Sequence, residues 1–171
     1  LQGLWNNHIP GVRILDNTFS NTGYTSIYLN RVHNPLISGN IIQGGYLGIY
    51  VTSGEAAITL VKNSVSVSGH GIKINYFGNL EPGLIANNFI LVDGVSESYG
   101  LDIQNSSWLN VYHNTVVIKT HIAYAHAFNC NSNTAGTIRV MNNSFSCMNE
   151  GYASYVQYPA TLLQSDYNNY Y

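Results

Sequence analysis

The chain is predicted to be an all-β solenoid of stacked parallel coils. Three observations predict this: a recurring asparagine, a recurring strand motif that begins on a small residue, and a very low charge content. The asparagines are Asn17, Asn40, Asn63, Asn88, Asn114, Asn143 and Asn168. Successive positions differ by 23, 23, 25, 26, 29 and 25 residues. Each sits in a small apolar frame, as in ILDNTF, LISGNII, LVKNSV, LIANNFI, VYHNTV, VMNNSF and SDYNNY. A period in this range marks a solenoid, because one repeat cannot bury its own apolar face and neighbours must stack to do so. The 171 residues are read as a single domain, 1–171, of about seven coils.

Within each interval a second motif recurs: a small residue, an inward apolar residue, an outward residue and another inward apolar one. In order these are Ser26-Ile27-Tyr28-Leu29, Gly48-Ile49-Tyr50-Val51, Gly71-Ile72-Lys73-Ile74 and Gly100-Leu101-Asp102-Ile103. Weaker copies follow at Ala127-Phe128-Asn129-Cys130 and Ala153-Ser154-Tyr155-Val156. Period-two alternation rich in Ile and Val is a strand signal, and no segment shows helical periodicity. Each coil therefore reads as three strands: the Gly-Ile segment, the segment entering the asparagine and the segment leaving it. Asn34-Pro35, Gly44-Gly45, Glu81-Pro82-Gly83 and Asp93-Gly94 punctuate them as turns.

Leucine-rich repeats also carry asparagines at this period, but with L-x-x-L-x-L-x-x-N spacing and one strand per repeat. Here Ile and Val fill the Leu positions, and a second strand motif stands where the convex segment belongs. A right-handed, single-stranded parallel β-helix with an internal Asn ladder fits instead. The side-chain amide is both donor and acceptor, so stacked copies can bond to turn backbone and to one another. That structural role accounts for all seven asparagines.

Charged residues make up only 8% of the chain, against roughly 25% in ordinary soluble domains. Equivalent side chains on successive coils lie roughly 4.8 Å apart, so a charge repeated in every coil repels itself. The net charge is −2 without a Lys/Arg run, which excludes the electrostatic footprint of a nucleic-acid or anionic-membrane partner. No stretch approaches the roughly 20 apolar residues of a bilayer span, so membrane insertion is not expected. LQGLWNNHIPG has no signal-peptide pattern and no initiator Met, and the chain is expected to be an excerpt of a longer protein or a mature fragment. Cys130 and Cys147 occupy apolar repeat positions and are expected to be buried free thiols. No cofactor motif or zinc spacing appears.

The run GLIANNFILV…YGLDI…NVYHNTV…AHAF…IRVMNNSF…GYASYV…SDYNNYY resembles the right-handed parallel β-helix repeats of large secreted or surface proteins of Bacteroidetes-like bacteria. The resemblance extends from about Gly11 onward. It implies an extracellular or cell-surface setting and a polysaccharide ligand, as in the carbohydrate-binding and sugar-hydrolysing β-helix superfamily. It is specific for fold and weak for activity.

In such β-helices the substrate surface is the one formed here by the Gly-Ile segments. The outward row is Tyr28, Tyr50, Lys73, Asp102, Asn129 and Tyr155, and the next is Asn30, Thr52, Asn75, Gln104, Asn131 and Gln157. Rings cover apolar sugar faces while amides and phenols meet hydroxyls, though the same residues also suit any low-charge β surface. Lys73 and Asp102 fall on adjacent coils and form the candidate catalytic pair, as base or charge neutraliser and as acid. The bland alternative is an ordinary surface ion pair. Glu81, Asp93 and Glu97 on flanking loops are candidate calcium ligands. Against an enzyme, there is no D-x-D or DD cluster, and Arg13, Arg31 and Arg139 are scattered. His8, His33, His70, His113, His121 and His126 are expected on the surface or in turns.

The preferred reading is thus a non-catalytic scaffold contacting polysaccharide, with a polysaccharide lyase or related enzyme as the alternative. Neither Leu1 to Pro10 nor Leu162 to Tyr171 reads as a capping helix, so neighbouring domains or end-to-end self-association are the expected partners.

Overall fold

The computed structural model describes residues 9–78, 81–94 and 96–171, and among them the strands pair in parallel into a β-helix. The first sheet gathers the seven segments that enter the asparagines, from Arg13–Leu15 to Leu162–Asp166. The second gathers the seven that leave them, from Thr18–Ser20 to Asn169–Tyr170. The third holds the Gly-Ile motif in six strands: Thr25–Asn30, Leu47–Thr52, His70–Asn75, Tyr99–Gln104, His126–Asn131 and Tyr152–Val156. These make about six full turns rather than the seven expected, because the seventh asparagine is followed by a second-sheet strand but no third-sheet strand. A short parallel pair, Ile9–Pro10 with Val32–His33, lies beside the first coils.

The alternation read from the sequence fills the interior. Ile37, Leu60, Ile85, Val111 and Val140 stack from the first sheet, and Ile42, Val65, Ile90, Val116 and Phe145 from the second. Ile49, Val51, Ile72, Ile74, Leu101 and Ile103 close the third side. Each fully buried aliphatic side chain contributes roughly 1.5–3 kcal/mol, and none obtains this burial without the coil above and below. Gly71 keeps the third sheet close to its neighbours: a Cβ there would lie 2.2 Å from Ile90 Cγ2 and 2.6 Å from the Gly100 carbonyl oxygen.

At the corner between the first two sheets the asparagines form the predicted ladder. Asn63 Nδ2 donates to Asn88 Oδ1 at 3.0 Å, and the Asn63 backbone N–H donates to the same oxygen at 3.0 Å. Asn63 Nδ2 also donates to the Ile37 carbonyl of the coil below at 3.0 Å. The pattern repeats from Asn17 through Asn40, Asn88, Asn114 and Asn143 to Asn168. The residue before each asparagine has positive φ: Asp16, Gly39, Lys62, Asn87, His113, Asn142 and Tyr167. For the non-glycine residues this costs roughly 1–2 kcal/mol each. The ladder bonds, at about 1 kcal/mol apiece, offset it.

Cys130 and Cys147 are both free thiols. Cys130 is buried as expected, and its burial pushes the thiol pKa up to about 12. Cys147 is only half-buried, a correction that follows from its place at the end of the strand Ser144–Cys147. At the far end, Pro159–Thr161 forms a single 3-10 turn before the last strands, and no α-helix occurs among the described residues. Leu1 to His8, which include the first of the six histidines, lie outside the described residues.

Candidate functional site

Three outward rows run along the third sheet, parallel to the solenoid axis. The middle row is the one predicted: Tyr28 pairs with Tyr50, Tyr50 with Lys73, Lys73 with Asp102, Asp102 with Asn129 and Asn129 with Tyr155. The Asn30, Thr52, Asn75, Gln104 and Asn131 row lies beside it in the same register. The Tyr28 and Tyr50 rings sit 5.2 Å apart, and Lys73 Nζ lies 5.9 Å from the Tyr50 ring centre, within cation–π range.

Asp102 does not behave as a surface acid. It points outward yet is fully buried, because the side chains of neighbouring coils close over it. Asn129 Nδ2 donates to its Oδ1 at 2.7 Å, and Gln104 Nε2 donates to its Oδ2 at 3.0 Å. Lys73 Nζ lies 3.4 Å from Oδ2, with its side chain 20% exposed. The pair is therefore a buried anchor rather than the exposed ion pair expected from the sequence. Asn129 is itself 6% exposed. Of the six residues in the predicted row, the four with open faces are Tyr28, Tyr50, Lys73 and Tyr155.

The third row lies outside the two outward rows that the Gly-Ile motif predicts. Tyr24, Tyr46, His70, Tyr99, His126 and Tyr152 form a continuous pile of rings, with successive centres 5.1–5.4 Å apart. His70 and His126 are therefore part of a stacked strand face and not surface histidines, a correction imposed by their partners on adjacent coils. His126 also lies flat on Tyr155, centres 4.8 Å apart and planes 17° from parallel. The signal was present: an aromatic ring immediately precedes the small residue in His70-Gly71, Tyr99-Gly100, His126-Ala127 and Tyr152-Ala153.

Burial sets the electrostatics of this row. It lowers the pKa of His70, helped by the Lys73 charge and opposed by Asp102 and Glu97. It also lowers that of His126, against the hydrogen bond to Asn129 and the charges of Asp102 and Glu97. Both shifts favour the neutral ring. Burial together with Glu97 raises the Tyr99 phenol, which donates to the Glu97 carboxylate.

The rows converge on a cleft of about 400 Å³ near the far end of the sheet. Tyr99, Tyr124, His126, Tyr152 and Tyr155 supply its rings, and Gln104, Asn129, Asn131 and Gln157 its amides. Tyr124 comes from the loop before the strand His126–Asn131 and is 74% exposed. The volume lies at the lower end of the roughly 300–1,000 Å³ typical of small-ligand sites.

A family model described as a right handed beta helix region matches residues 3–166. The chain belongs to the right-handed β-helix family. No curated protein and no solved structure matches it significantly. The family match fixes the hand of the coil and, with the ladder, accounts for the architecture of this β-helix. It assigns no residue a chemical role.

Glu81, Asp93 and Glu97 are all exposed, and no three His, Cys, Asp or Glu side chains among the described residues cluster so as to hold a metal ion. Glu97 is engaged by Tyr99, while Asp93 lines a separate surface hollow with Thr22, Tyr46 and Ser68.

Proposed function

We propose that this β-helix is a non-catalytic module of a secreted or cell-surface protein, a rigid scaffold that holds polysaccharide against its third sheet. One observation carries the reading: the cleft beside Tyr155 combines five aromatic rings with four side-chain amides in about 400 Å³. Sugar recognition asks for that combination, since rings pack on C–H faces and amides exchange hydrogen bonds with hydroxyls. The stiffness of the stacked coils favours binding, because a surface already ordered loses little entropy when a ligand arrives.

A polysaccharide lyase or hydrolase centred on Lys73 and Asp102 is the second reading, favoured by their 3.4 Å approach. The burial of Asp102 weighs against it, since a general acid must come within hydrogen-bond reach of the reacting group. A polysaccharide panel tests both, read by binding and by the absorbance of unsaturated uronates. Binding without product supports the scaffold, and product formation overturns it in favour of the enzyme. In the same assay Tyr28→Ala with Tyr50→Ala is expected to weaken binding to long polysaccharides at unchanged circular dichroism. Absence of binding to any glycan contradicts the proposal and leaves a purely structural stalk.

A further inference from the structure

A chain of three side chains behind the cleft fixes the orientation of one of its rings. The Asp102 carboxylate can only accept, so the amide group 2.7 Å from it must be the Asn129 NH₂. Asn129 Oδ1 is then turned to His126 Nδ1, 3.2 Å away. A carbonyl oxygen can only accept, so Nδ1 carries the proton and donates. In the neutral ring the lone pair is left on Nε2. Among the described residues His126 Nε2 has no hydrogen-bond partner, yet it is not sealed off: the sealed, unpartnered side-chain atoms there are His70 Nδ1 and Thr120 Oγ1. His126 lines the cleft.

The cleft also lacks charge. Its lining is rings and amides without a Lys, Arg, Asp or Glu, and Lys73, paired with Asp102, lies outside it. A carboxylate ligand would meet no Arg or Lys there and would sit in front of the buried Asp102 charge, an arrangement that costs binding free energy.

We propose that the cleft seats a neutral sugar residue, with one sugar hydroxyl donating to His126 Nε2 while a tyrosine ring covers its apolar face. His126 is thereby a specificity-determining acceptor, oriented by Asp102 through Asn129. The inference rests on the polysaccharide reading above and narrows it to uncharged glycans.

The test is calorimetric titration of the whole chain with cello-, manno- and xylo-oligosaccharides, against oligogalacturonate and oligomannuronate. At least one neutral series is expected to bind, and the acidic ones at least about tenfold more weakly. His126→Phe keeps the ring pile and removes the acceptor, and is expected to lose about tenfold in affinity for the neutral ligand. In the unmodified protein, the ¹⁵N resonance of His126 Nε2 is expected to move when that ligand is added, a readout that does not depend on how the variant folds. Preference for the acidic oligomers overturns the inference while leaving the polysaccharide reading intact. A stationary Nε2 resonance, or full affinity in a folded His126→Phe variant, overturns the role of His126. Failure to bind every oligosaccharide overturns both.

Discussion

Asn129 Nδ2 donates to Asp102 Oδ1 across 2.7 Å on the outside of the solenoid, and both residues are buried. A carboxylate on the outer face has thus become part of the scaffold. Asp102→Ala would leave the Asn129 and Gln104 amides without their acceptor and Lys73 without its counter-charge. Because Lys73 retains some access to water, the expected loss is roughly 2–3 kcal/mol, below that of a fully buried pair. Equilibrium unfolding in denaturant measures it. An unchanged midpoint would show that the carboxylate anchors nothing.

The ladder carries a second expectation. Asn63→Leu removes the acceptor used by the Asn40 N–H and Nδ2 and the donor that reaches Ile37 and Asn88. Those backbone groups lie in a buried corner, so the fold should lose roughly 1–3 kcal/mol. Thermal or denaturant midpoints report the change. A midpoint equal to that of the unmodified chain would refute the ladder's role.

His70 and His126 link stability to pH. Their folded pKa values are depressed below the ordinary 6.5, chiefly by burial. The unfolded chain therefore takes up protons first as pH falls, so their contribution is complete above about 6.5 and declines below it. Denaturation midpoints should be lower at about pH 5 than at about pH 7.5, and His70→Phe with His126→Phe should shrink the difference. A midpoint that holds steady or rises on acidification contradicts this.

Much of this was legible in the sequence. The asparagine period fixed the coil, and the Gly-Ile motif placed Tyr28, Tyr50, Lys73, Asp102, Asn129 and Tyr155 in one register because side-chain alternation in a strand is strict. The left-handed residues before the ladder were not legible. Asp16, Lys62, His113 and Tyr167 share no chemistry, since the corner is imposed by asparagine bonds and not by their own side chains. The ring row escaped because its types alternate and its spacing slips by one residue: Tyr46 stacks on His70 although Leu47 is the residue in register with it. The burial of Asp102 could not be read from one strand, because Lys73 and Asn129, which close over it beside Gln104, come from the coils on either side.

The last strands of the three sheets, Tyr152–Val156, Leu162–Asp166 and Asn169–Tyr170, each lie at the end of their strand order. We propose that these strands, beside exposed Leu163, Tyr167 and Tyr171, pair end to end with a second copy of the chain. Light scattering over a concentration series is expected to show mass rising with concentration. A strictly monomeric species throughout would argue that these edges are protected.

The most direct measurement of the central claim is titration of the Tyr152→Ala, Tyr155→Ala double variant with the tightest oligosaccharide from the panel. These rings form one wall of the cleft and lie outside the buried interior. The account predicts affinity reduced at least about tenfold with circular dichroism unchanged. Undiminished affinity in the folded variant would place the glycan elsewhere and contradict it.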